Sequence, residues 1–191
     1  GYGTNHVNTL RLWEARSPRT LDMALFSSGQ YVRATEEQTM AQTITKILYP
    51  NDEHIEGKSL RLKQQYFFVS ATVQSMVRKH LENYGTLKNF HEKNIIQIND
   101  THPALCVPEL MRLLIDEHDY GWDEAWDIAC RTLSYTNHTV MSEALEHWNT
   151  ELFREQLPRI YGIVTEINRR LMLELQNRYP NDPGKWNYMA V

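Results

Sequence analysis

The sequence predicts an α/β fold that is rich in helices and contains a few parallel strands. A β-branched run begins at Ile95 and gives way to polar side chains from Asn99 to His102, which is typical of a buried strand. Apolar residues recur at helical spacing both before and after this run, so helices flank the strand. In open α/β sheets, ligands bind at the carboxyl ends of the strands. We therefore expect a site between Asn99 and Pro103.

The other elements follow from periodicity and from residues that begin or end helices. Val7–Trp13 alternates with a period of about two and predicts a second strand. Residues 50–57 are predicted as a loop, and residues 135–139 form a polar cluster that is a second candidate site. Five helices are predicted. The first spans residues 31–48, and the second is a long helix that Ser59 caps and Gly85 stops. The third has Pro108 in its first turn, the fourth has an apolar stripe formed by Trp122, Trp126, Ala129, Cys130 and Leu133, and the fifth ends before Pro180.

Composition excludes several classes of partner. The 191 residues are 41% hydrophobic and carry a formal net charge of −4, with no basic stripe to neutralise nucleic acid phosphates. No apolar run reaches the length of a membrane span, and no signal peptide pattern precedes the first elements. Cys106 and Cys130 are predicted as reduced core residues, as expected in the cytoplasm. The abrupt ends of the chain indicate a piece of a longer protein.

Three polar pairs at the ends of elements are candidate functional residues: Asp52 with His54, Asp100 with His102, and Asn137 with His138. Taken alone, each is more often a structural hydrogen-bonding group than a catalyst. A metal site formed by His102, His138 and Asp100 is a further hypothesis, although no local ligand pair supports it. A glycoside hydrolase would instead need a carboxylate pair, for which Asp100 and Glu143 are the candidates.

Seven ordered sequence blocks carry a resemblance to a known family. They are VNTLRLW (7–13), LYPND (48–52), EGK (56–58), LRLKQ (60–64), QINDTHP (97–103), PELMR (108–112) and YTNHT (135–139). Together they span nearly the whole chain, and the chain resembles the α-glucan phosphorylases that act on glycogen, starch or maltodextrin. The resemblance implies the later part of an amino-terminal domain with a doubly wound, Rossmann-like fold of the glycosyltransferase-B type.

The resemblance also implies a reaction and a cofactor. Inorganic phosphate would cleave the terminal α-1,4-linked glucose of a glucan and release glucose 1-phosphate with retained configuration. Pyridoxal phosphate would serve the full-length enzyme through its phosphate group. Its attachment lysine, the cationic residues for the substrate phosphate and a glycine-rich loop belong to segments outside this range, so the chain alone is expected to be inactive.

By the same resemblance, His138 would bond the glucose 6-hydroxyl. Asp100, His102 and Thr139 would line the pocket beside the anomeric carbon, with Asn137 in the same block. Hydroxyl-rich substrates are bound by such polar hydrogen-bonding groups.

Residues 50–57 correspond to the loop that gates the catalytic cleft, in which the placement of Asp52 matters for catalysis, and Arg61 follows it as a substrate-binding candidate. Two positions depart from the family pattern. Glu53 stands where relatives often have an asparagine that can bond the glucose 2-hydroxyl, and an ionised carboxylate cannot donate. Ser142 stands where relatives commonly have proline.

Residues 31–49 correspond to the tower helix, which pairs with its twin in a homodimer. Besides the glucan and phosphate, the remainder of the phosphorylase chain is thus an expected partner. The sequence is also compatible with two other functions. A helical interaction or regulatory module would keep the scaffold without the chemistry, and a glycoside hydrolase would release free sugar without phosphate.

Overall fold

A computed structural model of the chain describes residues 1–141 and 145–189, apart from the side chain of Asn187. Within them the protein is helix-rich, with one small parallel sheet, which confirms the predicted α/β class. The ten α-helices of the described residues are α1 (Met23–Ser27), α2 (Tyr31–Ala34), α3 (Glu36–Lys46), α4 (Ile55–Tyr84), α5 (Phe90–Lys93), α6 (Cys106–Arg112), α7 (Trp122–Thr132), α8 (Thr150–Gln156), α9 (Pro158–Arg178) and α10 (Pro183–Met189). The strands are β1 (Ile96–Asn99) and β2 (Leu133–Thr136), and a π-helical turn, Leu113–Glu117, follows α6.

The chain divides into two compact units, residues 1–68 and 69–191, and the long helix α4 contributes to both. Among the described residues, no helix combines the length and the apolar character needed to cross a bilayer.

In unit 2, a hydrophobic core surrounds one side of the sheet. Phe90, Leu110, Leu114 and Ile163 are completely buried, and they come from α5, α6, the π-helical turn and α9. Ile98 is the buried residue of β1 and belongs to the same core. Burial of each such side chain is worth about 1.5–3 kcal/mol, so the core holds the helices against the sheet.

Several predicted helix limits are confirmed. Helix α4 ends at Tyr84, and Gly85 follows with a φ of +68°, a conformation that glycine adopts without a steric penalty. Helix α9 ends at Arg178, before Pro180. Pro108 lies in the first turn of α6, where its missing N–H costs little.

The predicted strand at Val7–Trp13 is wrong. Residues 5–17 have no regular secondary structure, and Val7, Leu10 and Leu12 are almost fully exposed. A strand requires a neighbour to satisfy its backbone hydrogen bonds, and none of the described residues pairs with this segment.

The predicted helix at 31–48 is interrupted and shorter. It breaks at Thr35, whose hydroxyl donates to the carbonyl oxygen of Val32 at 3.1 Å, and it ends at Lys46. Threonine side chains compete with helical hydrogen bonds in this way. The apolar face expected on this helix is largely exposed, with Met40 at 56% and Leu48 beyond the helix end.

Helix α4 begins four residues before the predicted cap, Ser59, and the predicted loop at 50–57 is correspondingly shorter. His54 is the observed cap, because its Nδ1 accepts the backbone N–H of Gly57 at 3.0 Å. Helix caps are recognised in a sequence as Ser, Thr, Asp or Asn, so a histidine cap is not recognised in this way.

The apolar stripe of α7 is rotated by one position from the prediction. The buried residues are Ala125, Ile128, Ala129 and Thr132, whereas Trp126 and Cys130 are exposed. Small side chains allow α7 to approach the core closely, and this leaves the bulky indole outside. Both cysteines are free, but only Cys106 is in the core, where burial raises the pKa of its thiol to about 11.

Candidate functional site

The carboxyl ends of the two strands form the structural centre of the candidate site in unit 2. Strands β1 and β2 are parallel, and the last pair in the register is Asn99 with Thr136. Asp100 prolongs this ladder, because its backbone N–H donates to the Thr136 carbonyl oxygen at 3.0 Å. Polar residues that follow both strands therefore meet at one edge of the sheet. The predicted buried strand is only partly buried, because Ile98 is buried in β1 whereas Gln97 and Asn99 are exposed.

Asp100 is held in an unusual backbone conformation. Its φ is +70°, in the left-handed region that asparagine and aspartate tolerate better than most residues. Its Oδ1 accepts the backbone N–H of Thr101 at 2.7 Å. The turn continues with the Ala104 N–H donating to the Thr101 carbonyl oxygen, and α6 follows two residues later. The half-buried carboxylate is thus held by a backbone N–H of the following residue.

His138 follows β2 by two residues and its side chain is exposed. Its Nε2 forms a short hydrogen bond with Oδ1 of Asn99, the last residue of β1. The carboxamide oxygen can only accept, so Nε2 carries the proton and Nδ1 is left as an acceptor. The predicted residues Asp100 and His138 accordingly flank the same terminal pair of the sheet.

Asn137 and Thr139 close the turn around His138. The Thr139 N–H donates to Asn137 Oδ1 at 3.0 Å, and Asn137 Nδ2 donates to the Thr139 carbonyl oxygen at 2.9 Å. This reciprocal pair fixes the backbone on both sides of the histidine. His102, the remaining predicted residue of unit 2, is half-buried in the turn between β1 and α6.

Asn99 lies at the start of the predicted site, but its contact with His138 was not predicted. The prediction treated it as the end of a strand, whereas it contacts a histidine 39 positions away. A weak signal existed in the period of two, because Gln97 and Asn99 alternate with Ile96 and Ile98. That alternation marks one face of β1 as polar, which is unusual for a strand in a parallel sheet.

The predicted residues of unit 1 lie around the start of α4. Arg61 places its NH1 atom 3.4 Å from Oδ2 of Asp52, and its guanidinium lies 6.0 Å from the centre of the Tyr49 ring. The Arg61 side chain is only 21% exposed, so the pair is partly shielded from water. Glu53 is exposed, and its backbone N–H donates to Asn51 Oδ1 at 2.9 Å. The loop is therefore tied to the helix at Asp52, while the Glu53 carboxylate is on the surface.

Two alternatives from the sequence can be compared with this geometry. The described residues contain no group of three histidine, cysteine or acidic side chains placed to hold a metal ion, so the site proposed from His102, His138 and Asp100 gains no support. The hydrolase pair of Asp100 and Glu143 falls partly on a residue outside the described ones, and so does the departure at Ser142.

Comparison with known proteins decides the family. The sequence profile of the Phosphorylase family, described as carbohydrate phosphorylase, matches residues 1–191. The chain belongs to the carbohydrate phosphorylase family. The glycogen phosphorylase of Synechocystis is 50% identical over the whole chain, that of Chlamydia pneumoniae 43%, and the muscle form of human glycogen phosphorylase 42%.

This phosphorylase chain is much shorter than those relatives. It covers 22%, 23% and 24% of their lengths, respectively, while the alignments span all of its own residues. The chain therefore corresponds to one segment of these relatives.

The seven lysines of the chain lie among the described residues, and their side chains are exposed.

Proposed function

We propose that the chain is a segment of a glycogen phosphorylase that transfers the terminal α-1,4-linked glucose of a glucan to inorganic phosphate. The product would be glucose 1-phosphate with retained configuration, formed in the cytoplasm by the full-length enzyme with pyridoxal phosphate attached elsewhere in the protein. Family membership supports this, as does the similarity to glycogen phosphorylases. The isolated segment would be inactive, because the lysine that holds the cofactor is expected in another segment of the full-length protein.

The observation that carries the proposal is the position of His138. It stands at the carboxyl edge of a parallel sheet, the usual place for a ligand in such folds, with Nδ1 free of a proton. An imidazole nitrogen of this kind accepts a hydrogen bond from a hydroxyl without a charge of its own. The proposed ligand is the 6-hydroxyl of glucose, with Asp100, His102 and Thr139 beside the anomeric carbon.

The loop before α4 would supply the gate. The Asp52–Arg61 contact fixes its base, and Glu53 is on its exposed side. We assign Asp52 a placement role in catalysis and Arg61 a role in binding. Because an ionised Glu53 repels phosphate and cannot donate to a hydroxyl, its proposed contribution to sugar binding is small.

The experiment that tests the function uses the full-length enzyme loaded with its cofactor. We expect His138→Ala to lower phosphate-dependent release of glucose 1-phosphate from a glucan by at least tenfold, since a substrate hydroxyl loses its partner. His147→Ala is the matched control, because His147 is an exposed histidine outside the site. Release of free glucose without phosphate would instead indicate a hydrolase, and no turnover by the unmodified full-length protein would favour the non-catalytic module.

Residues 31–49 would form the dimer contact. Met40, Ile47 and Leu48 are exposed there, and exposed large apolar side chains are candidates for an interaction surface. In the full-length protein, Met40→Glu is expected to shift the dimer towards monomer in sedimentation velocity. Gln176→Glu, an exposed change on α9 outside residues 31–49, should leave the dimer intact.

A further inference from the structure

One face of the small sheet carries a row of polar side chains that the proposed function does not use. Gln97 and Asn99 lie on the side of β1 opposite to Ile98, which is buried. Their register partners on β2 are Ser134 and Thr136. Paired residues of neighbouring strands share a face of the sheet, so these four side chains form one polar surface.

Side-chain hydrogen bonds connect this row from strand to strand. Ser134 Oγ donates to Gln97 Oε1 at 2.7 Å, and Gln97 Nε2 donates to Thr136 Oγ1 at 2.6 Å. The Gln97 carboxamide thus bridges two hydroxyl groups of β2. This bridge fixes the end of β2, from which the turn carrying His138 departs.

Asn99 is the next residue along that face and contacts His138 directly. The hydrogen bond from Nε2 of the histidine to Oδ1 of Asn99 joins β1 to the turn after β2. Without it, an exposed imidazole would rotate about its two side-chain torsions and exchange between its two neutral tautomers. With it, both the ring orientation and the protonated nitrogen are set.

We propose that Asn99 is a positioning residue for His138: it holds the ring and keeps the proton on Nε2, so that Nδ1 accepts a hydrogen bond from a hydroxyl group of the glucosyl substrate. This inference rests on the proposed function, because it takes the ligand to be a glucosyl unit. It adds a specificity rule, since a substrate without the contacted hydroxyl has nothing to donate to Nδ1.

The test uses the full-length, cofactor-loaded enzyme with glucose 1-phosphate and a glucan primer. Asn99→Leu removes the acceptor at nearly constant size, and we expect kcat/KM to fall about tenfold or more because the ring is no longer oriented. Combined with His138→Ala, the same change should have no additional effect, as expected for two residues that act through one contact. Asn83→Leu, an exposed asparagine near the end of α4, is the control for a surface amide change.

Two further readouts separate positioning from a general loss of structure. With 6-deoxyglucose 1-phosphate as the donor, Asn99→Leu should not change kcat/KM, because this substrate lacks the hydroxyl group that donates to Nδ1. Asn99→Asp keeps an acceptor and should retain most of the activity. Its carboxylate also stabilises the imidazolium, so the acidic limb of the pH–rate profile should move to higher pH.

The outcomes distinguish this inference from the function on which it rests. An impaired His138→Ala with an unaffected Asn99→Leu would overturn the positioning role alone. If Asn99→Leu lowered kcat/KM by the same factor in the presence and in the absence of His138, the positioning role would also be overturned. A fully active His138→Ala would overturn both. If Asn99→Leu does not fold, Asn99→Asp still tests the positioning role, because an unchanged pH–rate profile of that variant would contradict a direct contact between residue 99 and His138.

Discussion

Gly57 lies so close to Asn51 that a Cβ atom on Gly57 would stand 1.7 Å from the Asn51 carbonyl oxygen. The backbone of Gly57 is not in the left-handed region, so glycine is needed here for space and not for conformation. The first turn of α4 can therefore support the preceding loop only when this position has no side chain.

Gly57→Ala is accordingly expected to displace the loop and destabilise its surroundings by about 1–3 kcal/mol, the usual cost of overpacking. Hydrogen–deuterium exchange of peptides that cover residues 48–60 in the full-length protein would measure the local opening. Gly162→Ala is the matched control: nothing lies within 4 Å of its added Cβ in α9, and the change should stabilise by about 0.5–1 kcal/mol. Unchanged exchange in the Gly57 variant would contradict the close approach.

Glu109 is completely buried and accepts hydrogen bonds from Ser70 and Arg112 in unit 2. Ser70 Oγ donates to it at 2.7 Å, and Arg112 donates through Nε and NH2 at 2.8 and 3.0 Å. Glu109→Ala should destabilise this unit by about 3 kcal/mol, the low end for a broken buried ion pair, because Arg112 loses one counter-charge and keeps Glu117, to which its NH1 donates at 2.8 Å. Ser70→Ala removes one hydrogen bond to a charged group and should cost only about 1.5–3 kcal/mol. Exchange protection of α6 would rank the variants, and equal effects would contradict the charge argument.

Asp100 offers a way to separate stability from activity. Because its φ is +70°, Asp100→Val should cost about 1–2 kcal/mol from backbone strain alone, whereas Asp100→Gly relieves that strain. Both variants lose the carboxylate that accepts the Thr101 N–H. We expect both to lose phosphorolysis, but only the valine variant to show a lower melting temperature. A glycine variant that melts as low as the valine variant would contradict the strain.

A surface cluster on α9 predicts a defined acid response. Arg169 and then Arg170 donate to the Glu166 carboxylate and lower its pKa to about 2. A lowered pKa means that this interaction is present above the ordinary glutamate pKa of about 4.3 and is lost as the pH falls towards 2. Arg169→Ala should raise the pKa of Glu166 in an NMR titration, and added salt should act in the same direction. A pKa that does not respond to Arg169→Ala would contradict the assignment.

The elements that sequence reasoning located are those whose signals are local. Gly85, Pro108 and Pro180 mark helix limits through their own backbone restrictions, which do not depend on distant residues. Val7–Trp13 failed because a strand depends on a neighbour that the sequence pattern does not supply. Strand β2 was missed because its exposed Ser134 and Thr136 resemble a loop.

The site shows the same division between local and distant information. Asp100 was located by the strand that ends beside it, and His138 by its sequence block. The contact between Asn99 and His138 escaped because it depends on the register of two strands, which no pattern within either segment specifies. The cap at His54 escaped because a ring nitrogen is a rare helix cap.

The polar row across the sheet also limits when this region can form during folding. Its bridges join residues 37 and 39 positions apart, with α6 and α7 in the intervening chain. Such contacts close only after the slow search that distant parallel pairing requires. During synthesis on the ribosome, His138 therefore acquires its orientation only after both intervening helices have emerged and docked.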